Sequence, residues 1–183
     1  MDAEMMAGAG YRRRRRGRAF TLVEVLVVVS VVAALAGLVL PSYWQVQRGA
    51  ARITCRGKLR GVGLALRTYL NESKDVMPVA AQMPSLALND APGIAKVLRP
   101  FLSVETALQC PADTERNYFV SEGSSYEYQS LLGGRTVEQG FMTRKLGPAR
   151  VPVMNDYEPF HGAPGTPGAM NYLFADCHVG DFR

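Results

Sequence analysis

A block of arginines followed by one long apolar run opens the chain. Six arginines between residues 12 and 18 stand just before residues 20–40, a run whose single charged side chain is Glu24. As a helix this run would be about 31 Å long, which is close to the hydrocarbon thickness of a bilayer. Backbone groups in lipid must bond to one another, and a helix achieves this. The pattern therefore predicts a transmembrane helix over residues 20–40.

Helical spacing of apolar residues continues beyond Pro41. Proline removes a backbone donor and crowds the preceding turn, so we expect a kink near Pro41 rather than the end of the helix. The pattern predicts one helix, with residues 20–40 in the membrane and residues 41–73 packed on a head formed by residues 74–183. Apolar residues that share one face define its second half: Cys55, Leu59, Val62, Leu66, Tyr69 and Leu70.

Short runs rich in β-branched and aromatic residues follow in the head and predict strands. The last two should form a hairpin across residues 175–177, and residues 93–102 should form a short helix. The predicted fold class is α+β, with the long N-terminal helix laid on a small antiparallel sheet. The predicted strands cover residues 125–132, 141–146, 151–157, 170–174 and 178–182.

The basic charge of the chain is concentrated before the apolar run. The formal net charge is +5, and residues 1–19 contribute +4 of it. Arginines beside a span place that end in the cytoplasm, so the head should lie outside. A secretory signal peptide is the competing interpretation, but it would normally have a shorter apolar core and a small-residue cleavage site, and no such site follows Leu40. The remainder is nearly neutral, so no nucleic-acid partner is expected.

The junction between the basic block and the apolar run has a distinctive order: a small residue, then Phe-Thr-Leu-Val-Glu. This resembles the N-terminus of type IV prepilins and type II secretion pseudopilins. The resemblance implies that residues 1–19 are a cytoplasmic leader, cut between Ala19 and Phe20 by a prepilin peptidase, and that Phe20 is then N-methylated. It also implies that Glu24 pairs with the terminal amine of a neighbouring subunit. The family usually has Gly where this chain has Ala19.

The same resemblance implies a filament subunit, of a type II secretion or type IV pilus-like assembly. Its partners would be further copies of itself and other pilin-like subunits, the prepilin peptidase and methylase, and an inner-membrane assembly platform. The chain would cross the bacterial inner membrane once, with its head in the periplasm, and then enter an extracytoplasmic filament. A DNA-uptake pseudopilin with a binding head and a single-span membrane-anchored enzyme are the alternatives.

The chain has three cysteines, Cys55, Cys110 and Cys177. Outside the cytoplasm they indicate one disulfide and one leftover thiol, with three pairings open. Residues 54–66, 110–113 and 161–179 resemble prepilin-like proteins with the H-X9-DG processing-associated C-terminal motif. Fourteen residues rather than nine separate its His and Asp here, and Cys177 replaces its Gly. Because Cys55 and Cys110 match that pattern, the resemblance favours the pair Cys55–Cys110, with Cys110–Cys177 next.

The histidines are the last candidates for chemistry. His161 and His178 are the only two in the chain, and with Asp176 and Asp181 they form a weak set of ligands for a divalent cation. Their spacing matches no strong metal motif, and no hydrolase, zinc-protease or phosphate-loop motif is present. We therefore expect no enzymatic activity and no cofactor, with a Ca²⁺ ion in the head as the weak alternative.

Overall fold

The structure is a computed structural model, and it describes residues 21–182. Side chains are described throughout this range except at residues 39–42, 44, 45 and 48. The predicted leader, its cleavage at Ala19 and the methylated Phe20 lie outside the described residues. By its internal contacts the chain divides into two compact units, residues 1–42 and 43–183.

The first helix, α1, runs from Leu22 to Glu72 and continues through Pro41. The kink expected at Pro41 stays a prediction. Among the described residues, no helix combines the length and the apolar character needed to cross a membrane, so the predicted span over residues 20–40 is not confirmed.

Two consecutive left-handed residues end α1. Lys74 has φ 56° and Asp75 has φ 61°, and the Asp75 N–H donates to the Leu70 carbonyl at 2.8 Å. Such a left-handed turn satisfies carbonyl groups that the last helical turn would otherwise leave unpaired. The sequence prediction had placed the end of this helix at residue 73.

Three short helices follow in the head: α2 (Ile94–Leu98), α3 (Tyr118–Glu122) and α4 (Phe141–Leu146). The prediction of a strand over residues 141–146 is wrong, because this segment is α4. Its residues do not alternate between buried and exposed, and Lys145 lies over the Phe141 ring, one helical turn away. The head also has 3-10 turns at Pro84–Leu86, Arg99–Phe101, Glu105–Leu108, Ser130–Leu132, Val137–Gln139 and Pro148–Arg150.

Four antiparallel strands form one sheet in the order β1-β2-β3-β4. The predicted fold class, α+β with a small antiparallel sheet, is therefore confirmed, and so is the hairpin formed by the last two strands. The sequence overestimated strand lengths, because residues 130–132 form a 3-10 turn and the last strand has two residues. The strands are β1 (Tyr126–Tyr128), β2 (Pro152–Asp156), β3 (Tyr172–Phe174) and β4 (Val179–Gly180).

The core of the head contains residues from the second half of α1 and from the sheet. Cys55, Leu59, Val62, Leu66 and Leu70 are fully buried, each at the helical spacing seen in the sequence. Two strand tyrosines are also fully buried, and their hydroxyls donate to backbone carbonyls. Because an unpaired hydroxyl in a core is costly, these bonds fix where the β1 side chains can lie. They are Tyr126 to Cys55 O at 3.3 Å and Tyr128 to Pro78 O at 2.7 Å.

Candidate functional site

The first turn of α1 holds Glu24 in a capping box. The Glu24 carboxylate accepts hydrogen bonds from the Thr21 N–H at 3.1 Å and the Thr21 hydroxyl at 3.0 Å. In return, the Glu24 N–H donates to Thr21 Oγ1 at 3.2 Å. Such a reciprocal pair satisfies backbone donors that every helix start leaves open. Glu24 therefore has a role inside its own chain in addition to any role between subunits.

The helix beyond Glu24 exposes apolar side chains on every side. Each large apolar residue from Leu22 to Leu38 is at least half exposed, from 51% at Val25 to 80% at Leu22. A helix in water normally buries one apolar stripe and exposes a polar face. An apolar surface of this extent marks a segment that contacts other proteins or lipid.

A disulfide joins Cys55 on α1 to Cys110, which follows a 3-10 turn. This is the pair that the resemblance favoured, and Cys177 is a free thiol. The two cysteines are 55 residues apart in sequence. Closing a loop of that length restricts the unfolded chain and stabilises the fold by roughly 4 kcal/mol.

His161 lies against this disulfide. Its Nε2 is 3.5 Å from Cys110 Sγ and 3.6 Å from Asp156 Oδ2. The His161 side chain is 1% exposed and the Asp156 side chain 0%. Burial, with a contribution from the positive charge of Arg52, lowers the pKa of His161 to about 4. His161 is therefore a neutral imidazole near neutral pH, and its contact with Asp156 is not an ion pair.

Asp156, at the end of β2, is the most deeply buried carboxyl group of this cluster. Its Oδ2 accepts from the Asn171 N–H at 2.7 Å and from Asn171 Nδ2 at 3.0 Å. Burial raises the pKa of Asp156 to about 7, although these bonds and the charge of Arg52 act in the opposite direction. Asp156 Oδ1, Asn171 Oδ1 and His161 Nδ1 are buried without a protein partner in the part of the chain that the structure describes.

Arg52, on α1, borders the same cluster. Its Nη2 donates to Asp181 Oδ1 at 2.6 Å, and both side chains are about 70% buried. Gly168, with φ +84°, lies directly on the guanidinium, where a Cβ would approach Arg52 Cζ to 2.5 Å. The loop over residues 162–168 therefore covers this arginine, and the positive φ at Gly168 favours a residue without a side chain.

Asp113 organises the neighbourhood of Cys110. Its two carboxylate oxygens accept from the N–H groups of Tyr118 and Phe119, each at 3.1 Å, at the start of α3. It also accepts from the Ser125 hydroxyl at 2.7 Å, and that hydroxyl oxygen accepts from the Cys110 N–H at 3.0 Å. The sequence analysis assigned no role to Asp113. An Asp shortly before an apolar helical segment is the signal that could have predicted the cap.

The four residues proposed from sequence as weak cation ligands lie in three different places. His178 Nδ1 is 2.5 Å from Asp176 Oδ1, Asp181 pairs with Arg52, and His161 is buried beside Asp156. The structure therefore does not bring them together around one ion. Within residues 21–182, the one group of three or more His, Cys, Asp and Glu side chains within reach of a single ion is Cys55, Cys110 and His161.

Comparison with known proteins identifies the N-terminal segment. Residues 14–40 match the family model described as the prokaryotic N-terminal methylation motif. No curated protein and no solved structure matches the chain. The motif supports a prepilin-type protein, that is, a type IV pilin-like or pseudopilin-like subunit, and it suggests a membrane-associated, secreted or filament protein.

Proposed function

We propose that this chain is a structural subunit of a type II secretion or type IV pilus-like filament, made as a precursor, cut between Ala19 and Phe20 and N-methylated at Phe20. One observation carries the proposal: the methylation motif over residues 14–40 includes the part of α1, from Leu22 to Leu38, whose large apolar side chains are all exposed. The subunit catalyses nothing in this proposal, and its activity is assembly.

The exposed apolar part of α1 is the proposed assembly element. Helices of neighbouring subunits would cover the side chains between Leu22 and Leu38 that this chain alone leaves exposed. Contacts between equally apolar helices have little preference for one register. Polar groups must therefore set the stagger between subunits, and Glu24 is the acidic residue at the start of this helix.

Glu24 is proposed to pair with the amine of Phe20 on a neighbouring subunit. In a water-poor filament core, an unpaired charge costs several kcal/mol, so the pair would select the correct stagger more than add net stability. The capping box offers a competing explanation for any defect of a Glu24 variant, because loss of a cap costs about 1 kcal/mol by itself. A test must separate charge from capping.

Three variants make that separation. Glu24→Gln keeps an amide oxygen that can close the capping box but removes the charge. Thr21→Ala removes the Thr21 hydroxyl from the capping box but keeps the Glu24 charge. Glu24→Ala removes both the charge and the side-chain oxygen that closes the capping box. The measurements are filament yield, the ratio of cut to uncut chain, and the mass of the new N-terminus.

We expect cut, methylated Phe20 termini in all three variants, normal or slightly reduced filament yield from Thr21→Ala, and loss of filaments from both Glu24 variants. Full filament yield from Glu24→Gln would contradict the charge pairing. An equal loss in Thr21→Ala and Glu24→Ala would assign the defect to capping. An intact leader in assembled material would contradict the proposed processing.

A further inference from the structure

Three side chains, one on α1 and two in the head, have the donor atoms of a metal site, but two of them are joined by a disulfide in this structure. The Sγ atoms of Cys55 and Cys110 and a ring nitrogen of His161 all lie within 4.8 Å of one another. All three side chains are buried, at 0%, 1% and 1% exposure. The disulfide uses both sulfurs, so these donors can reach a metal only after the disulfide is reduced.

We propose that the reduced chain binds a zinc ion through Cys55, Cys110 and His161, and that the Asp156 carboxylate beside His161 becomes the fourth ligand once the two sulfurs have separated. Zinc and the disulfide are then two mutually exclusive states of one site. A dithiol reductant supplies two electrons and two protons to the disulfide and itself becomes a disulfide; with a phosphine, the phosphine supplies the two electrons and becomes its oxide, while water supplies the oxygen and the two protons. Each thiol then releases its proton as Zn²⁺ binds. The site lies within the second compact unit, residues 43–183, and needs nothing from the N-terminal motif.

The distances around His161 fit tetrahedral zinc. Bonds of about 2.3 Å to sulfur and 2.0 Å to nitrogen place the two ligand atoms about 3.5 Å apart. Cys110 Sγ and His161 Nε2 are separated by 3.5 Å. The Asp156 carboxylate lies beside the same nitrogen, with Oδ2 3.6 Å from it, and its second oxygen, Oδ1, is the one left open for a metal. Reduction must separate the two sulfurs and bring the Asp156 carboxylate within reach of the same ion.

An unpaired acceptor atom in the cluster also supports a metal site. Asp156 is fully buried, and its Oδ1 has no partner among the residues that the structure describes. A cation on this carboxylate would therefore use acceptor capacity that the protein leaves open, while Asn171 continues to orient the group through Oδ2. His161 would bind zinc as a neutral imidazole, through the lone pair of Nε2, with its proton on Nδ1.

The charges also suit a divalent metal. Two buried thiolates and a buried carboxylate without a metal would be strongly unfavourable. With Zn²⁺ the four ligands retain one negative charge, and Arg52 is close enough for its positive charge to act on both Asp156 and His161. Arg52 is itself held in place by Asp181.

The test uses the purified full chain in detergent, reduced without oxygen by a phosphine, with Co²⁺ as a spectroscopic probe for zinc. We expect one Co²⁺ per reduced chain, a thiolate-to-metal absorption band, the strong visible bands of tetrahedral cobalt, and displacement by Zn²⁺. The disulfide-bonded chain should show none of these. Cys177→Ser is the matched control and should bind as the unchanged chain does, because Cys177 is outside the group.

Two further measurements assign the ligands. His161→Ala should weaken metal binding by about 10- to 100-fold or more. In the unchanged sequence, zinc should slow alkylation of Cys55 and Cys110 but not of Cys177, as read by peptide mass spectrometry; this measurement needs no variant to fold. No metal binding by the reduced chain, equal binding by the oxidised chain, loss of binding in Cys177→Ser, or unchanged affinity in His161→Ala would each overturn the proposal.

Discussion

Replacing Gly63 by Ala should destabilise the head, although alanine is the better helix former. Gly63 lies on α1 where the helix meets the β3–β4 hairpin. A Cβ at this position would lie 2.8 Å from Leu173 Cδ1 and 3.1 Å from the Cys177 carbonyl oxygen. Leu173 is fully buried and the carbonyl belongs to the backbone of the hairpin turn, so neither atom can move away freely.

The magnitude follows from two opposing effects. Alanine gains roughly 1 kcal/mol over glycine in a helix interior. Forcing an extra methyl into a close-packed core costs about 1–3 kcal/mol. Gly61, two residues earlier on the same helix, has nothing within 4 Å of an added Cβ. Gly61→Ala should therefore stabilise by about 1 kcal/mol, and the two variants should differ by about 1–3 kcal/mol.

Urea unfolding of the full chain in detergent measures this difference. The near-ultraviolet circular dichroism of the buried tyrosines is the signal that monitors unfolding. Gly63→Ala should unfold at a lower urea concentration than Gly61→Ala, with equal slopes. Equal stabilisation by both substitutions would show that the hairpin does not approach α1 at Gly63, and the reasoning would be refuted.

Three further predictions concern the hairpin turn and the buried cluster. Non-reducing peptide mapping should find Cys55 linked to Cys110 with Cys177 free, and reduction without metal should lower the free energy of unfolding by roughly 4 kcal/mol; any disulfide to Cys177 would contradict this. Cys177→Gly should raise the free energy of unfolding by about 0.5–1 kcal/mol, as measured in urea, because it removes a side chain from a position with left-handed backbone conformation. A lower free energy of unfolding in this variant would contradict the prediction. In the disulfide-bonded chain, the lowered pKa of His161 makes stability rise with pH from about 4 to 6.5, and the raised pKa of Asp156 makes it fall from about 4 to 7. The free energy of unfolding should therefore change little across pH 4–6.5. In His161→Gln only the contribution of Asp156 remains, so the free energy of unfolding should fall as the pH rises. A rise with pH in that variant would contradict the pKa shifts given for these two residues.

The apolar stripe of α1 could be predicted because helix periodicity is a local property. Four of the stripe residues, Leu59, Val62, Leu66 and Leu70, are fully buried where the 3.6-residue period places them. Strand prediction was less successful because short apolar runs suit either structure. Residues 141–146 contain a phenylalanine, a methionine and a leucine that could serve a strand, but two flanking glycines and helix-forming Arg144 and Lys145 fit the short helix α4.

The buried cluster could be predicted only in part. The cysteine pair followed from a family pattern, and His161 was recognised as a candidate because the chain has so few histidines. Its partner Asp156 was not recognised, because the contact depends on how β2 and the loop after it fold back onto the disulfide. Asp176 and Asp181 were grouped with His178 by sequence proximity, and His161 was added because the intervening loop could bring it close; in the structure Asp176 contacts His178 and Asp181 pairs with Arg52. Spacing along a chain does not specify such contacts across a sheet.

The hairpin turn at Cys177 places a residue other than glycine in a left-handed backbone conformation. The resembling motif has Gly at this position, and Cys177 has φ 68°, in the left-handed region that glycine adopts without steric cost. A side chain there costs about 1–2 kcal/mol. Local hydrogen bonds offset that cost: the Cys177 N–H donates to the Phe174 carbonyl at 2.8 Å, and the His178 N–H donates to Asp176 Oδ1 at 3.1 Å. Because the β3–β4 pairing holds both ends of the turn, the conformation is imposed by the sheet, and the glycine of the motif is favourable there without being required.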